Sequence, residues 1–341
     1  MDTAVNESHI MQLGGGFILS KIVLTAVEFG LFTELGERAL SGEEIGKALQ
    51  LHPRGIWDFL DSLVALGLLE RDGDGPHGKY RNSYAAAHYL DKSKPGYVGA
   101  LLEMWNDRAY KFWGSLGEAL KTGQPQNEAK QSGKPMFDVV YEDGAKVEQF
   151  SNSMAVVSRR NFEALAEKFD FAPYSTLCDV GGSNALLTRT VAKRHPHLHC
   201  TSFDLPQVER LARSAVADEA LAARIDVVSG DFFQDPLPRA DVITMGMILH
   251  DWNLEKKLAL IRAAYDALPP GGAFIAIESL IDDARRENIA GLALSLQMML
   301  EFGDAFDFTG ADFSAWCTSV GFARVDIMHL AGASSAAIAY K

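Results

Sequence analysis

Cysteine is scarce in this chain: three among 341 residues (Cys178, Cys200 and Cys317), an odd number, far apart and without a Cys-x-x-Cys pair. That excludes a disulfide framework and a thiolate zinc site, and it predicts a reducing, cytoplasmic setting. Positive charge is also in deficit. Thirty-two Lys and Arg face 45 Asp and Glu, a net charge of -13, which repels both a phosphate backbone and an anionic lipid surface. Neither nucleic acid nor a membrane is expected as a partner. An uninterrupted hydrophobic run is missing too. The most apolar stretch, Ile10 to Phe32, is broken by Gln12, Lys21 and Glu28, and Met1 opens an acidic rather than a basic leader. Both features argue against a membrane span and against a signal peptide. Repeats and low-complexity segments are absent, as is a full Gly-x-Gly-x-x-Gly, so the pyrophosphate of a dinucleotide has no ready cradle.

What is present is enough apolar material for a sizeable core, 48% hydrophobic with 10% aromatic, and a length that predicts about two domains. Residues 1–95 have a helical texture, with Phe17, Ile18, Ile22, Val23, Val27, Leu31 and Leu35 recurring at helical spacing. Ser41-Gly-Glu-Glu44 is a capping box that opens a short helix, Leu51-His-Pro53 turns it, and a second helix runs from about Arg54 to Leu66. Leu68-Leu69-Glu70, a Gly/Asp-rich turn and Tyr80-Arg81 complete the pattern of a winged helix. Its would-be recognition helix carries Asp58 and Asp61 against Arg54 alone, and residues 41–70 hold five acidic and two basic side chains. That composition opposes DNA binding and favours a dimerisation scaffold.

From residue 96 to about 170 more helices follow, rich in aromatics and interrupted by a polar loop from Thr122 to Pro135. After Pro173 strands and helices alternate, which predicts a parallel sheet of βαβ units. The expected strands are Thr176 to Val180, His199 to Asp204, Ile225 to Ser229, Val242 to Met247, Ala273 to Glu278, Val325 to Leu330 and Ala336 to Tyr340. The last two are separated by hairpin spacing, which implies an antiparallel edge strand.

In such a sheet ligands sit beyond the carboxyl ends of the strands, and the chemistry-bearing residues cluster there. The first strand ends Asp179-Val-Gly181-Gly182-Ser183-Asn184-Ala185. The second ends at Asp204, 22 residues beyond Gly182, where a carboxylate can accept both hydroxyls of a ribose. Together these point to a nucleoside ligand without a pyrophosphate. The third ends Gly230-Asp231-Phe232-Phe233, a carboxylate for an adenine amine and a ring for its face. The fourth carries His250-Asp251-Trp252 just past its end, and the fifth ends in Glu278. An imidazole oriented by a carboxylate is suited to deprotonating a hydroxyl near neutral pH. His195, His197 and His199 form a His-x-His-x-His, but they straddle a helix end and a strand start, so no metal site is expected there.

Asp179-Val-Gly-Gly, Asp204-Leu205-Pro, Gly230-Asp-Phe-Phe, Leu249-His-Asp-Trp252 and Pro270-Gly-Gly272 before Ile277-Glu278 resemble, in that order and over almost the whole chain, the class I S-adenosylmethionine-dependent O-methyltransferases. The likeness is to the caffeic acid, acetylserotonin and hydroxyneurosporene group. It implies an α/β, Rossmann-like seven-stranded methyltransferase domain (residues 96–341, with acceptor-lining helices at 96–170) behind a winged-helix dimerisation domain (residues 1–95), and a homodimer. It also implies S-adenosylmethionine as cofactor, giving S-adenosylhomocysteine, and a small aromatic or polyketide-like acceptor methylated on a hydroxyl. By the resemblance His250 is the general base, flanked by Glu278 and Asp307. The cofactor is expected on Asp179, Gly181, Gly182, Asp204, Leu205, Gly230, Asp231, Phe232, Met245, Gly246 and Trp252, with Phe150, Met154 and Ser158 on its methionine side. The acceptor is expected on Met104, Trp105, Phe112, Trp113, Met247, Met298, Met299 and Phe302, of which about half should prove to be plain core. No metal is implied.

The family usually reads Asp-x-Gly-Gly-Gly-x-Gly, whereas Ser183 and Ala185 stand at the last two glycines. Here Ser183 is expected to cap the following helix with its hydroxyl, and Ala185 to add a single methyl. Asp307-Phe-Thr replaces a common Glu-Arg-Thr, a shorter acid. The rival readings are the same fold with other chemistry (N- or C-methylation, hydroxylation, decarboxylation) and a dimeric binding module without catalysis.

Overall fold

The structure, a computed structural model, describes residues 6–217 and 219–341; the start of the acidic leader lies outside the described residues. The chain divides into two compact units between Lys111 and Phe112. This is later than the change of texture at 95/96, because the helix Gly99–Met104 and the π-helical turn Trp105–Ala109 pack back on the first helix.

That first helix, Glu7–Glu28, starts where the Asn6 side chain accepts the His9 N–H. Its first four turns expose Ile10, Met11, Leu13, Phe17, Ile18 and Leu19, each more than half accessible, so the apolar face has no cover within this unit. By length and composition the helix is able to cross a membrane. Two of the polar residues that interrupt it are paired internally. Asn106 Nδ2 donates to Glu28 at 2.8 Å and Asn106 Oδ1 accepts from Lys21 at 2.6 Å.

Helix, turn, helix and strands then follow in the expected order. The capping box is present: Glu44 N–H donates to the Ser41 hydroxyl, and the Glu44 carboxylate accepts from Ser41 N–H at 2.8 Å. The helices Gly42–Ala48 and Pro53–Ala65 are followed by β2 (Leu69–Asp72) and β3 (Lys79–Asn82), and β3 also pairs with the short β1 (Leu40–Ser41). Asp58 and Asp61, the acids that opposed a nucleic-acid reading, are taken by Arg54 at 2.7 Å and by Arg71 and Tyr80, both at 2.8 Å.

The second unit holds β4 (Thr176–Val180), β5 (His199–Asp204), β6 (Ile225–Ser229), β7 (Val242–Gly246), β8 (Ala273–Glu278), β9 (Arg324–His329) and β10 (Ser335–Tyr340). These match the sequence expectation to within a residue. Their spatial order is β6-β5-β4-β7-β8-β10-β9, with β4 to β8 mutually parallel. The expected hairpin forms, and it leaves β9 as an edge strand paired antiparallel with its neighbour. The reversed strand is β10, which lies inside, paired to both β8 and β9, while the edge is β9. The Ala336–Ala339 run of β10, buried on both faces, suits the interior position better than the largely exposed β9.

Helices cover both faces. Phe162, Leu165, Leu187 and Val191 pack on one side, and Leu260, Ile261, Phe313 and Cys317 on the other. Cys178, Cys200 and Cys317 are free, buried core residues. The chain leaves β4 in one direction across the sheet and returns to β7 on its other side. A topological switch point therefore lies between the carboxyl ends of β4 and β7.

The loop after β4 makes its turn with Gly181 at φ 73°, Ser183 at φ 47° and Ala185 at φ 60°. The bend therefore survives both replacements, but in the left-handed region, which side chains occupy at a cost of about 1–2 kcal/mol. The expected cap by Ser183 is not formed. Ala185 occupies the N-cap position of the helix Leu186–Arg194 with no side-chain hydrogen bond, and Ser183 instead donates its backbone N–H to Asp204 Oδ2 at 2.8 Å. Ala185→Gly is expected to stabilise the protein by about 1 kcal/mol, read as a raised Tm, because glycine relieves the positive φ at no steric cost. A lowered Tm would show that the Ala185 methyl contributes more to packing than the bend costs.

Candidate active site

The site is assembled by register. Val180 pairs with Phe203 and Met245, Asp204 with Ser229, and Gly246 with Ile277, so the segments after five parallel strands emerge on one edge. At the switch point Gly181 and Gly182 are needed for space as well as turning. A Cβ on Gly181 would come within 2.3 Å of Ile248, and one on Gly182 within 2.4 Å of the Ser202 hydroxyl.

Asp204 closes this loop. Its Oδ2 accepts Ser183 N–H and its Oδ1 accepts Leu205 N–H at 2.6 Å, leaving lone pairs on both oxygens for a ligand diol. Burial pushes its carboxyl up to about 6, against the pull of the two N–H donors. Asp179, at the end of β4, is buried and accepts the Thr244 hydroxyl at 2.7 Å; burial pushes it up to about 7. Asp231 turns inward on its own loop, accepting Phe233 N–H at 2.8 Å. Gly230 abuts the Phe203 ring, and Gly246 abuts Phe162. The Met245 side chain is fully buried in the core beneath the sheet, so only its backbone faces the rim.

Trp252 is the centre of an aromatic cluster. Phe233 meets it edge-on at 4.7 Å and Phe232 at 6.0 Å, and the Lys256 ammonium lies 4.5 Å over its ring. Phe137 joins this group at 6.1 Å and also reaches Phe150 at 6.2 Å and Phe302 at 5.5 Å. Phe137 thus connects residues expected on the cofactor side with one expected on the acceptor side. It was not singled out in the sequence, because its short helix, Met136–Tyr141, shows too few turns for a periodic signal. Tyr141 on the same helix has its phenol pushed up by burial, then by the charges of Asp204 and Asp251.

Phe150, Met154 and Ser158 share one face of the helix Gly144–Lys168 at four-residue spacing, and Met298, Met299 and Phe302 lie in the last turns of the helix Ile289–Phe302. Phe112 is buried and Trp113 half-buried at the start of this unit. Met104, buried, and Trp105, 42% exposed, belong to the first unit. The three histidines of the His-x-His-x-His point to separate partners, Ala166 O, Phe171 O and Asp226, and do not converge.

Met247 takes φ 57° immediately after β7 and swings the chain into the turn Leu249–Asp251. Strain of this kind in a non-glycine residue belongs at functional sites. His250 is thereby buried, with Nδ1 at 2.6 Å from Glu278 Oε2 and Nε2 at 3.2 Å from Asp251 Oδ1. The other Glu278 oxygen accepts Leu249 N–H at 2.9 Å. Burial alone would depress the imidazole, but the Glu278 and Asp251 carboxylates outweigh it and hold His250 well above its ordinary value of 6.5. Asp307 is buried with neither carboxylate oxygen partnered among the described residues, and burial pushes it up to about 7. An unmet buried acceptor of this kind costs about 1–3 kcal/mol, which a ligand donor would recover.

His250, Glu278 and Asp307 offer atoms within 4.8 Å of one another. Neighbouring ligands on a zinc ion sit on the order of 3.5 Å apart. A metal would also have to displace the short His250–Glu278 bond, so the geometry is that of a carboxylate-held imidazole beside an acid with no hydrogen-bond partner among the described residues. Asp251, noted in the sequence only as the acid adjacent to His250, faces the imidazole directly.

Comparison with known proteins agrees with this arrangement. An O-methyltransferase domain family matches residues 113–323, and an O-methyltransferase dimerisation domain matches residues 11–92. The tetracenomycin polyketide synthesis 8-O-methyl transferase TcmO of Streptomyces glaucescens is 38% identical over 97% of this chain and 96% of its own. The N,N-dimethyltransferase OxyT of Streptomyces rimosus is 33% identical over 92% of this chain and 90% of its own. Among solved structures, human N-acetylserotonin methyltransferase in complex with SAM superposes with a TM-score of 0.91 at 27% identity, covering 100% of this chain and 99% of that one. With its glycine turn, rim carboxylates and buried His250–Glu278 pair placed as described, the chain belongs to the O-methyltransferase family, with a dimerisation domain ahead of its methyltransferase domain.

Proposed function

We propose that the chain transfers the methyl group of S-adenosylmethionine to a hydroxyl of a small aromatic or polyketide-like acceptor, with His250 as general base. The observation that carries this reading is the buried His250, held through Nδ1 by Glu278 at the rim where the loops after β4, β5 and β7 meet. The names of the relatives support methyl transfer within polyketide-type and indole-type chemistry.

When bound, the cofactor supplies an electrophilic methyl on a sulfonium. The residues present fit it: Gly181 and Gly182 leave no room for a Cβ, Asp204 retains lone pairs for two ribose hydroxyls, and Phe232 and Trp252 offer apolar surface for adenine. Glu278 accepts from Nδ1, which fixes the tautomer and turns Nε2 toward the incoming hydroxyl. Nε2 also lies 3.2 Å from Asp251 Oδ1, a contact that the acceptor hydroxyl displaces as it hands its proton to Nε2. Its oxygen then forms the new C–O bond as the S–CH3 bond breaks, giving a methyl ether and S-adenosylhomocysteine. Orientation supplies most of the rate, since methyl transfer needs no covalent help from the protein. Asp307, which has no hydrogen-bond partner among the described residues, receives a second donor on the acceptor, so acceptors carrying a neighbouring hydroxyl or amine are favoured.

The exposed face from Met11 to Leu19 lies within the matched dimerisation domain, and a second copy of the chain is its natural cover. Light scattering at micromolar concentration is expected to give twice 37.2 kDa; an active monomer would refute the dimer.

His250→Ala is expected to lower kcat by a hundredfold to ten-thousandfold while leaving S-adenosylmethionine affinity nearly intact. Because His250 is raised, neutral imidazole forms only above the ordinary 6.5, so kcat/KM is expected to rise with pH through a limb lying above that value. Near-normal turnover of the variant on a weakly acidic hydroxyl would reduce His250 to a structural residue. NMR of the product, through the shift and long-range coupling of the new methyl group, separates methylation at oxygen from methylation at nitrogen.

Asp204→Asn is expected to weaken S-adenosylmethionine binding about tenfold or more in calorimetry, since charged hydrogen bonds to hydroxyls contribute about 1.5–3 kcal/mol. Unchanged affinity would remove Asp204 from the cofactor site.

A further inference from the structure

Among the described residues Lys257 is the only lysine or arginine that is fully buried, and neither the motifs nor the general-base reading uses it. In the sequence it looks like an ordinary polar position of the helix Leu254–Ala267, one turn past the Asn253 cap. Helical side chains lean toward the N-terminus, and this one reaches back beneath the turn that carries His250. Its ammonium donates to the Trp252 carbonyl and, at 2.8 Å, to the Phe306 carbonyl, and it lies 3.6 Å from the centre of the Phe306 ring. One group thus joins the chain immediately after His250-Asp251 to the chain immediately before Asp307.

A buried ammonium costs several kcal/mol unless opposite charge and acceptors surround it. The charged groups facing it are Glu278 from the end of β8, Asp251 from the turn after β7, and Asp304 and Asp307 from the segment after the helix Ile289–Phe302. Around His250 itself stand Glu278, Asp251 and Asp307, with the Tyr141 phenol beyond Asp251. Three carboxylates beside one imidazole hold the proton too firmly for a base unless a second positive charge is near.

We propose that Lys257 is a positioning residue for methyl transfer: its ammonium ties the His250–Trp252 turn to the Phe306–Asp307 segment and offsets the surrounding carboxylates, so that His250 can release its proton. The proposal rests on the reading of His250 as the base. It assigns Lys257 no contact with cofactor or acceptor.

The test uses the full-length protein with Lys257→Met, which removes both charge and donors, and Lys257→Gln, which keeps a donor and removes the charge. The imidazole titration of His250 is followed by NMR, alongside the pH profile of kcat/KM. In both variants the His250 titration and the acid limb are expected to move to higher pH by about one unit, as loss of a nearby buried cation dictates. Turnover at neutral pH is expected to fall about tenfold and to recover as pH rises, with S-adenosylmethionine affinity unchanged. A His250 titration unmoved in a folded variant overturns the proposal. Failure of both variants to fold assigns Lys257 to stability alone and also overturns it. Should His250→Ala retain turnover, the general-base reading fails, while the titration shift still reports the influence of Lys257 on that imidazole.

Discussion

The Glu278 carboxylate is the constraint on which the site depends. One oxygen accepts the Leu249 N–H and the other holds His250 Nδ1, so a single side chain at the end of β8 secures the whole turn that follows β7. Its own position is fixed by the central sheet, where β8 is buried on both faces and pairs with β7 and β10. The short helical turn at His250 is too small to be stable alone. It is defined by this carboxylate, by the strained Met247 before it and by Lys257 beneath it.

The electrostatics follow from the same compactness. Bringing the ends of five parallel strands together also brings together their terminal acids, Asp179, Asp204 and Glu278, with Asp251 and Asp307 close by. Burial pushes Asp179 up to about 7, Asp204 to about 6 and Asp307 to about 7. Such a group tolerates ionisation only where donors or cations meet it. Asp204 has two backbone N–H groups and Asp179 a hydroxyl, whereas Asp307 is met by the charges of His250 and Lys257 but by no hydrogen-bond donor among the described residues. The contrast separates acids that organise the loops from one that no hydrogen bond holds among the described residues.

The glycine turn shows how far the family pattern can be altered without loss of shape. Ser183 and Ala185 both sit at positive φ, with Asp204 accepting the Ser183 N–H and Ala185 enclosed in the core. Tertiary contacts worth several kcal/mol hold a conformation that local preference opposes by about 1–2 kcal/mol per residue.

The sequence by itself determined the strand positions, the parallel order through β8, the capping box at Ser41 and the placement of Asp204, His250 and Glu278 at one rim. Each of these follows from local periodicity, from cap chemistry or from the rule that ligands meet the carboxyl ends of strands, and each is readable within a short window. Tertiary structure alone decided the rest. That β10 lies inside the sheet depends on partners far apart in the chain. Ser183 stands two residues ahead of the N-cap position, which Ala185 takes, and its backbone N–H is met by Asp204, 21 residues away. Phe137 enters the aromatic cluster from a segment that reads as the end of a polar loop, and Lys257 is buried because carbonyls from Trp252 and Phe306 converge on it. A single window carries periodicity, but it does not carry which distant group a buried charge or ring will meet. That is set only when the sheet has brought those groups together.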